Sequence, residues 1–498
     1  MIDATAGIGS KVAGPSRPAL FALAYASAFL CSKYLGLSTG YALDDYAVSH
    51  TSPEGLAGFF LSQGRYTNAV LDTILRASDL NMTSFSVIAF IATLIFSTLF
   101  YLAVFKPDSR QQPSIIAAAA ALLGAHSYYT EYITFRQSAL PMSVMFAMLW
   151  VAASQYRIAM FTADRRAVRL AVAAAAGVIA MGANQLALCY AAIAVLYMHL
   201  AAPVADLREG SAAPLLPQAA KAISLTAACG FVLSAGNLVA AMIGRMVGHV
   251  GTDGRATLVS AGQLPERAAQ LMELMPTLLI KAEPIAATPA KVLLLLSVLL
   301  ALLPFGRAHV RGRLLVLLFA ATAWGIALLP HVVSGTWWPV PRTLVAVPMV
   351  FAGVLVLCSH AGQLQLRVSA GLSLAAAVLF CAHSNAILIN QQRVNRWDIA
   401  QAQDIASRVA ERFPRKHAKL AIVGGKWSYA VAPQAAQGDM NLSALSVGWA
   451  IDPLFDEATG TDLTVRSAPE LAETCAGKPV FPSPESTIET ADEIVVCL

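Results

Sequence analysis

The chain has 498 residues, of which 57% are hydrophobic and 13% are charged, and its mean hydropathy is +0.62. A soluble domain carries about 25% charged residues, so a chain this long and this poor in charge cannot cover itself with a water-compatible surface. The net charge of +5 is small, and no nucleic acid is expected as a partner.

About eleven segments have the length and apolar character of membrane spans. A span needs about 20 mostly apolar residues, and cytoplasmic loops collect Lys and Arg. The predicted spans are about 18–38, 84–105, 113–129, a fourth that ends at Arg157, then about 168–182, 185–202, 222–243, 288–305, 314–333, 343–359 and 368–389. Because basic residues precede the first span and fill the short loops on that side, the N-terminus is predicted to be cytoplasmic.

Every long polar segment falls on the opposite side of the predicted membrane. The first such segment is about 39–83, where two short amphipathic helices are expected to lie on the lipid surface. The second is about 244–286. The expected fold is therefore a polytopic α-helical membrane protein, with a transmembrane domain over residues 1–389.

The tail over residues 390–498 has a different pattern. A helical pattern of apolar residues opens after Trp397, and Leu420–Val423 and Glu493–Leu498 are typical of buried strands. These features predict a small α/β domain outside the membrane. Its two cysteines, Cys475 and Cys497, either pair as a disulfide in an oxidising compartment or stay free.

Two adjacent acids, Asp44 and Asp45, follow the first span directly. One carboxylate could take a proton from an acceptor hydroxyl as general base, and the other could position that acceptor. Alternatively the pair could hold a divalent cation, Mg²⁺ or Mn²⁺, through oxygen. The third interpretation is an ordinary pair of solvated acids at the end of a span.

Further candidates lie in the same set of loops. Arg65 suits a phosphate, because a guanidinium matches phosphate oxygens with two hydrogen bonds, but a headgroup contact or an ion pair with Asp72 is equally open. Glu131 and Arg136 lie in the next loop on this side. Glu131 is either a third carboxylate of an acid/base or metal site, or part of an ordinary interfacial loop.

The last loop on this side places Trp337 and Trp338 near Arg342, a cation at the mouth of a span that needs an anionic partner. A lipid-linked phosphate is the natural partner, and Lys281 is a weaker candidate for the same role. The tryptophans either stack on sugars or anchor the loop in the membrane. Further candidate sugar or acceptor contacts are Tyr46, Tyr66 and Tyr132.

With these residues on one side, the chain resembles the GT-C superfamily of polytopic glycosyltransferases, and within it the serotype-converting, O-antigen-modifying glucosyltransferases of bacteria and their phages. The resemblance is carried by Asp44-Asp45, Gln63-Gly64-Arg65-Tyr66, Glu131, Pro341-Arg342-Thr343 and Arg396-Trp397-Asp398. It implies a bacterial inner-membrane enzyme in which the acidic pair is catalytic. It also implies that the C-terminal domain is periplasmic and helps to bind the acceptor.

The expected function is inverting transfer of a sugar from a polyprenyl-phosphate donor to a lipopolysaccharide O-antigen or related glycan on the periplasmic side. The resemblance implies glucose as the sugar and undecaprenyl phosphate as the lipid. The inside loops are too short to hold a nucleotide-sugar domain, so the donor is expected within the membrane. Two alternatives stay open, a transporter or flippase of lipid-linked sugars, and an accessory membrane protein of envelope polysaccharide assembly.

Overall fold

The computed structural model describes twelve stretches of the chain. They are residues 16–38, 40–50, 53–162, 165–208, 214–253, 257–282, 286–303, 310–359, 364–413, 419–424, 442–461 and 463–498. The helices of the first half are α1 (Arg17–Lys33), α2 (Leu43–His50), α3 (Pro53–Ser62), α4 (Tyr66–Arg76), α5 (Ser86–Phe105), α6 (Pro113–Ala125), α7 (Thr130–Thr134), α8 (Arg136–Phe161), α9 (Arg166–Ala183), α10 (Ala187–Arg208) and α11 (Leu215–Gly248). Those of the second half are α12 (Leu264–Leu279), α13 (Thr288–Leu302), α14 (Val310–Val333), α15 (Val347–Cys358), α16 (Leu364–Arg412), α17 (Gly448–Thr459) and α18 (Ala472–Cys475).

Eight helices in the described part of the chain are long and apolar enough to cross a membrane: α1, α5, α8, α9, α10, α11, α14 and α16. This confirms the coarse prediction of a helical, multi-pass membrane protein. The other three predicted spans correspond to shorter helices, α6 with 13 residues, α13 with 15 and α15 with 12. At about 1.5 Å per residue these helices are shorter than a hydrocarbon core of about 30 Å. The count of eleven spans therefore stays a prediction.

The bundle has two ends, which we name after one residue each. At the Asp45 end, the end of α1 contacts the end of α6, and Asp45 accepts hydrogen bonds from the backbone at the start of α8. At the Arg157 end α8 finishes beside the end of α5, where the Arg157 guanidinium donates to the Val104 carbonyl at 2.6 Å. Arg17, at the start of α1, donates there to the carbonyl of Gln111, just before α6.

Buried cations close the carboxyl ends of several helices. The ammonium of Lys33 is buried and donates to the carbonyls of Gly124 and His126 at the end of α6, at 2.7 and 3.4 Å. Lys291 does the same at the end of α12, where it donates to the Thr277 carbonyl at 2.5 Å. The last carbonyls of a helix have no partner within the helix, and a bilayer supplies no water to satisfy them. A cation at that position also complements the helix dipole.

The α2–α4 segment, residues 40–50 and 53–76, folds as three short helices. Predicted amphipathic helices correspond to α3 and α4, which are joined by a turn at Gly64 with a φ of +74°. The Tyr66 hydroxyl donates to the Val178 carbonyl of α9. Gly182 permits this approach, since a Cβ there would lie 2.3 Å from the Tyr66 ring. The segment is thus fastened to the bundle at α9.

Helix α16 is continuous over 49 residues. It joins the last predicted span and the separately predicted helix of the tail, so the domain boundary placed at residue 389 falls inside one helix. The physical reason is that residues 389–412 contain neither Gly nor Pro. Two buried amide side chains in this part of α16 donate hydrogen bonds to the α2–α4 segment. Gln391 donates to the Tyr41 carbonyl and Asn395 donates to the Tyr46 hydroxyl.

Beyond the bundle, the chain forms a four-stranded sheet in the order β2-β1-β4-β3. The strands are β1 (Lys419–Val423), β2 (Thr464–Ser467), β3 (Thr487–Glu489) and β4 (Ile494–Cys497). Strand β1 is parallel to β2 and β4, and β3 is antiparallel to β4. The two strands expected from the sequence are β1 and β4. A disulfide joins Cys475 of α18 to Cys497 of β4.

The core of this C-terminal unit includes the helix that carries the acidic pair. Leu43 and Tyr46 of α2 are buried in one cluster with Ile405 of α16, Ile422 of β1 and Phe455 of α17. Helix α2 is therefore held between the membrane bundle and the sheet, and its position depends on both.

Asp398 connects α16 to the rest of the C-terminal unit, which contains the sheet. Its buried carboxylate accepts hydrogen bonds from the Ser443 hydroxyl at 2.5 Å and from the Ala444 N–H at 2.8 Å. Burial raises the pKa of Asp398 to about 7, and these two hydrogen bonds oppose the rise. The carboxyl group therefore titrates near neutral pH.

Because the pKa of Asp398 is higher in the folded protein than in the unfolded chain, the free energy of unfolding should depend on pH. In the unfolded chain this carboxyl ionises near its ordinary pKa of 3.8, so between about pH 4 and pH 7 only the folded protein still holds the proton. The free energy of unfolding should fall as pH rises through this window. The substitution Asp398→Asn removes the titration, so its thermal midpoint should rise relative to wild type between about pH 5 and pH 7 and then level off. The matched control is Asp404→Asn, at an exposed acid of the same helix, and a pH-independent difference between wild type and Asp398→Asn would contradict the assignment.

Candidate active site

Asp45 fixes the geometry of the candidate site. Its side chain is completely buried, and one carboxylate oxygen accepts from the N–H groups of Ala42 and Arg136 at 2.9 and 3.1 Å. The other oxygen accepts from the Gln137 N–H at 3.0 Å. Arg136 and Gln137 are the first two residues of α8, whose N–H groups have no partner within the helix. Asp45 therefore caps α8 from 91 residues away in sequence.

Burial raises the pKa of Asp45 to about 6, against the effect of the three backbone N–H groups, and the neighbouring Asp44 charge adds to the rise. Three N–H donors face the two oxygens, and this arrangement favours the ionised form of the carboxyl group. With both oxygens engaged and no solvent exposure, Asp45 is poorly suited to take a proton from a substrate. Its role is to hold α2 against α8.

Asp44 differs from its neighbour in exposure. It is half-buried in the first turn of α2, where a negative charge is favoured by the helix dipole. Of the two acids, Asp44 is the more exposed.

Glu131 and Arg342 link two loops that are far apart in sequence. The buried Glu131 carboxylate accepts from the Arg342 N–H at 3.2 Å. The Arg342 guanidinium lies over the Trp338 ring, 4.4 Å from its centroid, and 5.3 Å from the centroid of Phe135. Phe135 directly precedes α8, so Arg342 is brought next to the helix start that Asp45 caps.

Two more cations complete the group. The Arg136 guanidinium lies 5.6 Å from the centroid of the Tyr41 ring, beside the acidic pair. Burial raises the pKa of Tyr132, while its hydrogen bond from Asn184 and the charges of Arg65 and Arg342 lower it. Arg65 and Arg342 are therefore both within electrostatic range of one tyrosine. Asp72, proposed from the sequence as a partner of Arg65, forms its ion pair with Arg76 at 3.0 Å.

Two of the predicted sugar contacts are used in packing. The Tyr46 ring is buried and its hydroxyl accepts from Asn395 at 2.6 Å, so it belongs to the contact between α2 and α16. Tyr66 is turned toward α9, as described above. Trp338 is half-buried, and its ring lies against the Arg342 guanidinium.

Trp337 and Lys281 are placed differently from Arg342. The Trp337 ring lies 5.5 Å from the Arg267 guanidinium, which also donates to the Gly335 carbonyl and so braces the loop. The Lys281 side chain is exposed, and its carbonyl accepts from Lys291 at 3.0 Å. Both residues therefore belong to the contacts of α12 and its neighbouring loops.

The donor set at the acidic pair does not fit a divalent cation. Mg²⁺ and Mn²⁺ prefer several oxygen ligands, whereas both Asp45 oxygens already accept backbone N–H groups. Within the described ranges, no three His, Cys, Asp or Glu residues form a group that could hold a metal ion.

Sequence reasoning missed the polar residues that fasten this end together. Asn184 donates to the Tyr132 hydroxyl at 3.0 Å, and Gln185 donates to the Gln63 carbonyl at 2.7 Å. Two adjacent amides in the turn of an apolar hairpin are a signal that could have found them, because such groups need partners at membrane depth.

No family model, curated protein or solved structure matches the chain.

Asp45→Asn should lower the free energy of unfolding by about 1–3 kcal/mol, because an amide offers one acceptor oxygen to three N–H donors and turns an N–H group toward one of them. Asp44→Asn, at the half-buried neighbour, should lower it less, by about 0.3–1 kcal/mol, because it removes a charge that the dipole of α2 favours. Denaturation of both variants in the same detergent measures the difference. Equal losses of unfolding free energy for the two substitutions would show that the hydrogen bonds of Asp45 to the start of α8 do not stabilise the protein.

Proposed function

We propose that the protein is a membrane glycosyltransferase that moves a sugar from a polyprenyl-phosphate donor to a lipopolysaccharide O-antigen or related glycan at the Asp45 end of the bundle. One observation carries the proposal. A continuous series of contacts runs from Asp45 through the start of α8 and Phe135 to Arg342 and Glu131. It gathers a half-buried carboxylate, cations and aromatic rings in one region, which is the chemistry that a sugar phosphate requires.

The distribution of charge supports an orientation for this enzyme. The Arg157 end carries basic residues from many loops: Arg17, Lys106, Arg110, Arg165, Arg166, Arg169, Lys221, Arg311, Arg313 and Arg367. By the positive-inside rule this end faces the cytoplasm, and the Asp45 end and the sheet unit then face the periplasm. The disulfide of the sheet unit suits an oxidising compartment. Eleven crossings, with α6, α13 and α15 as short spans, fit this arrangement.

In the proposed reaction Asp44 is the general base. Its carboxylate takes the proton of the acceptor hydroxyl, and the acceptor oxygen attacks the anomeric carbon of the donor sugar. The bond from that carbon to the phosphate oxygen breaks, and its electron pair leaves with the polyprenyl phosphate. Because attack and departure occur on opposite faces, the anomeric configuration inverts.

The leaving phosphate gains negative charge as its bond to the sugar breaks. Arg342 is the proposed partner for that charge, with Arg65 and Arg136 as further cations of the same region. Trp338 holds the Arg342 guanidinium from one side, which limits its freedom before the donor binds. Asp45 has a positioning role, since it sets Arg136 relative to Asp44.

Asp44→Asn should lower kcat for sugar transfer by about 10²- to 10⁴-fold, the usual contribution of a general base. The measurement is transfer of labelled sugar from polyprenyl-phosphate donor to purified O-antigen in reconstituted vesicles. The matched control is Asp79→Asn, at an exposed acid of the same polar segment, which should retain wild-type activity. Full transfer by a correctly folded Asp44→Asn protein would overturn the catalytic role, and donor movement across the vesicle without transfer would favour a flippase.

Arg342→Gln should lower kcat by about 10²- to 10³-fold, since it removes a cation that acts on charge developing at the phosphate. Arg393→Gln, at an exposed arginine of α16, serves as the control for loss of one positive charge. Steady-state rates at varied donor concentration give kcat and the KM for the donor separately. An effect confined to KM would assign Arg342 to donor binding alone.

A further inference from the structure

A separate cavity lies between the membrane helices, in the half of the bundle toward the Arg157 end. It has a volume of about 290 Å³ and is lined by side chains of α8, α9, α10 and α11, with one ring from α5. Nearly all of the lining is apolar, for example Leu149, Ala153, Leu170, Ala194 and Leu225. An apolar cavity of about 150 Å³ is enough to hold benzene and stay dry, so this one can take a substantial hydrocarbon group.

The cavity is polar at one end only. Arg166, the first residue of α9, lines it there together with the Tyr156 ring of α8. The Tyr156 hydroxyl is 2.8 Å from Nε2 of His199. The charges of Arg166 and Lys221 lie within electrostatic range of Tyr156 and His199 respectively. Among the described residues that line the cavity there is no Asp or Glu.

The bilayer can reach the cavity from the side. Val232 of α11 lines it and is also 48% exposed on the outside of the bundle. Leu225, about two turns nearer the start of the same helix, lines it as well. An amphiphile in the bilayer can therefore insert a chain past α11 while its head stays near Arg166.

We propose that this cavity binds one anionic phospholipid, with an acyl chain among α8–α11 and its phosphate at Arg166 and Lys221. The apolar lining suits the chain. Arg166 in the lining and Lys221 within electrostatic range of His199, with no acid among the described lining residues, suit a head of net negative charge. The site lies at the opposite end of the bundle from Asp45. It is therefore independent of the proposed transferase reaction and does not include the donor phosphate region at Arg342.

Native mass spectrometry of the full-length protein tests the site. The protein is purified, stripped of loosely held lipid, and exposed to equal amounts of phosphatidylglycerol and phosphatidylethanolamine with the same acyl chains. One phosphatidylglycerol should be retained per chain, with a preference of about tenfold or more over the zwitterionic lipid. Equal retention of the two lipids, retention of none, or preferential retention of an added polyprenyl phosphate would each overturn the proposal.

Two kinds of variant locate the lipid. The double substitution Arg166→Gln and Lys221→Gln, both at exposed residues, should remove the headgroup preference. Arg311→Gln, at an exposed arginine of the same end, should leave it unchanged. Ala194→Phe fills the apolar part and should abolish retention of either lipid. If the filled variant does not fold, the double variant still decides, because an unchanged preference there would place the lipid elsewhere.

Discussion

A buried carboxylate accepts three backbone N–H groups where α2 meets the start of α8, and the arrangement of the whole candidate site depends on it. Burying a charge at this depth is costly unless every oxygen is satisfied. Asp45 meets that condition because the first N–H groups of a helix have no other partner. The contact fixes α2 on one side and Phe135, hence Arg342, on the other. Asp44, the preceding residue of α2, stays half-buried beside this contact.

Unpaired backbone groups also bind buried charges elsewhere in the bundle, but there the charges are positive and the backbone groups are carbonyls. Lys33, Arg157 and Lys291 are buried or half-buried cations, and each donates to carbonyls at the end of a helix. In a membrane an intramembrane charge is a functional candidate by default. Here several such charges are explained by helix ends.

The C-terminal unit takes part in the site through α2. Because Leu43 and Tyr46 are buried in its core, the sheet cannot move away from the bundle without moving the acidic pair. Helix α16 adds a rigid connection, since it runs without interruption from the bundle into the sheet unit. An acceptor that bound to the C-terminal unit would therefore approach Asp44 in a defined orientation.

Several features of this protein were determined by the sequence alone. Apolar run length predicted the eight long apolar helices of the described residues, and short hydrophobic runs predicted β1 and β4, because hydrophobicity is a local property of the chain. The tertiary structure decided which aspartate is buried, which arginine pairs with Asp72, and where the cavity beside Arg166 lies. These depend on partners brought together by packing, such as Asp45 and Arg136 at a separation of 91 residues, and no local pattern encodes such a contact.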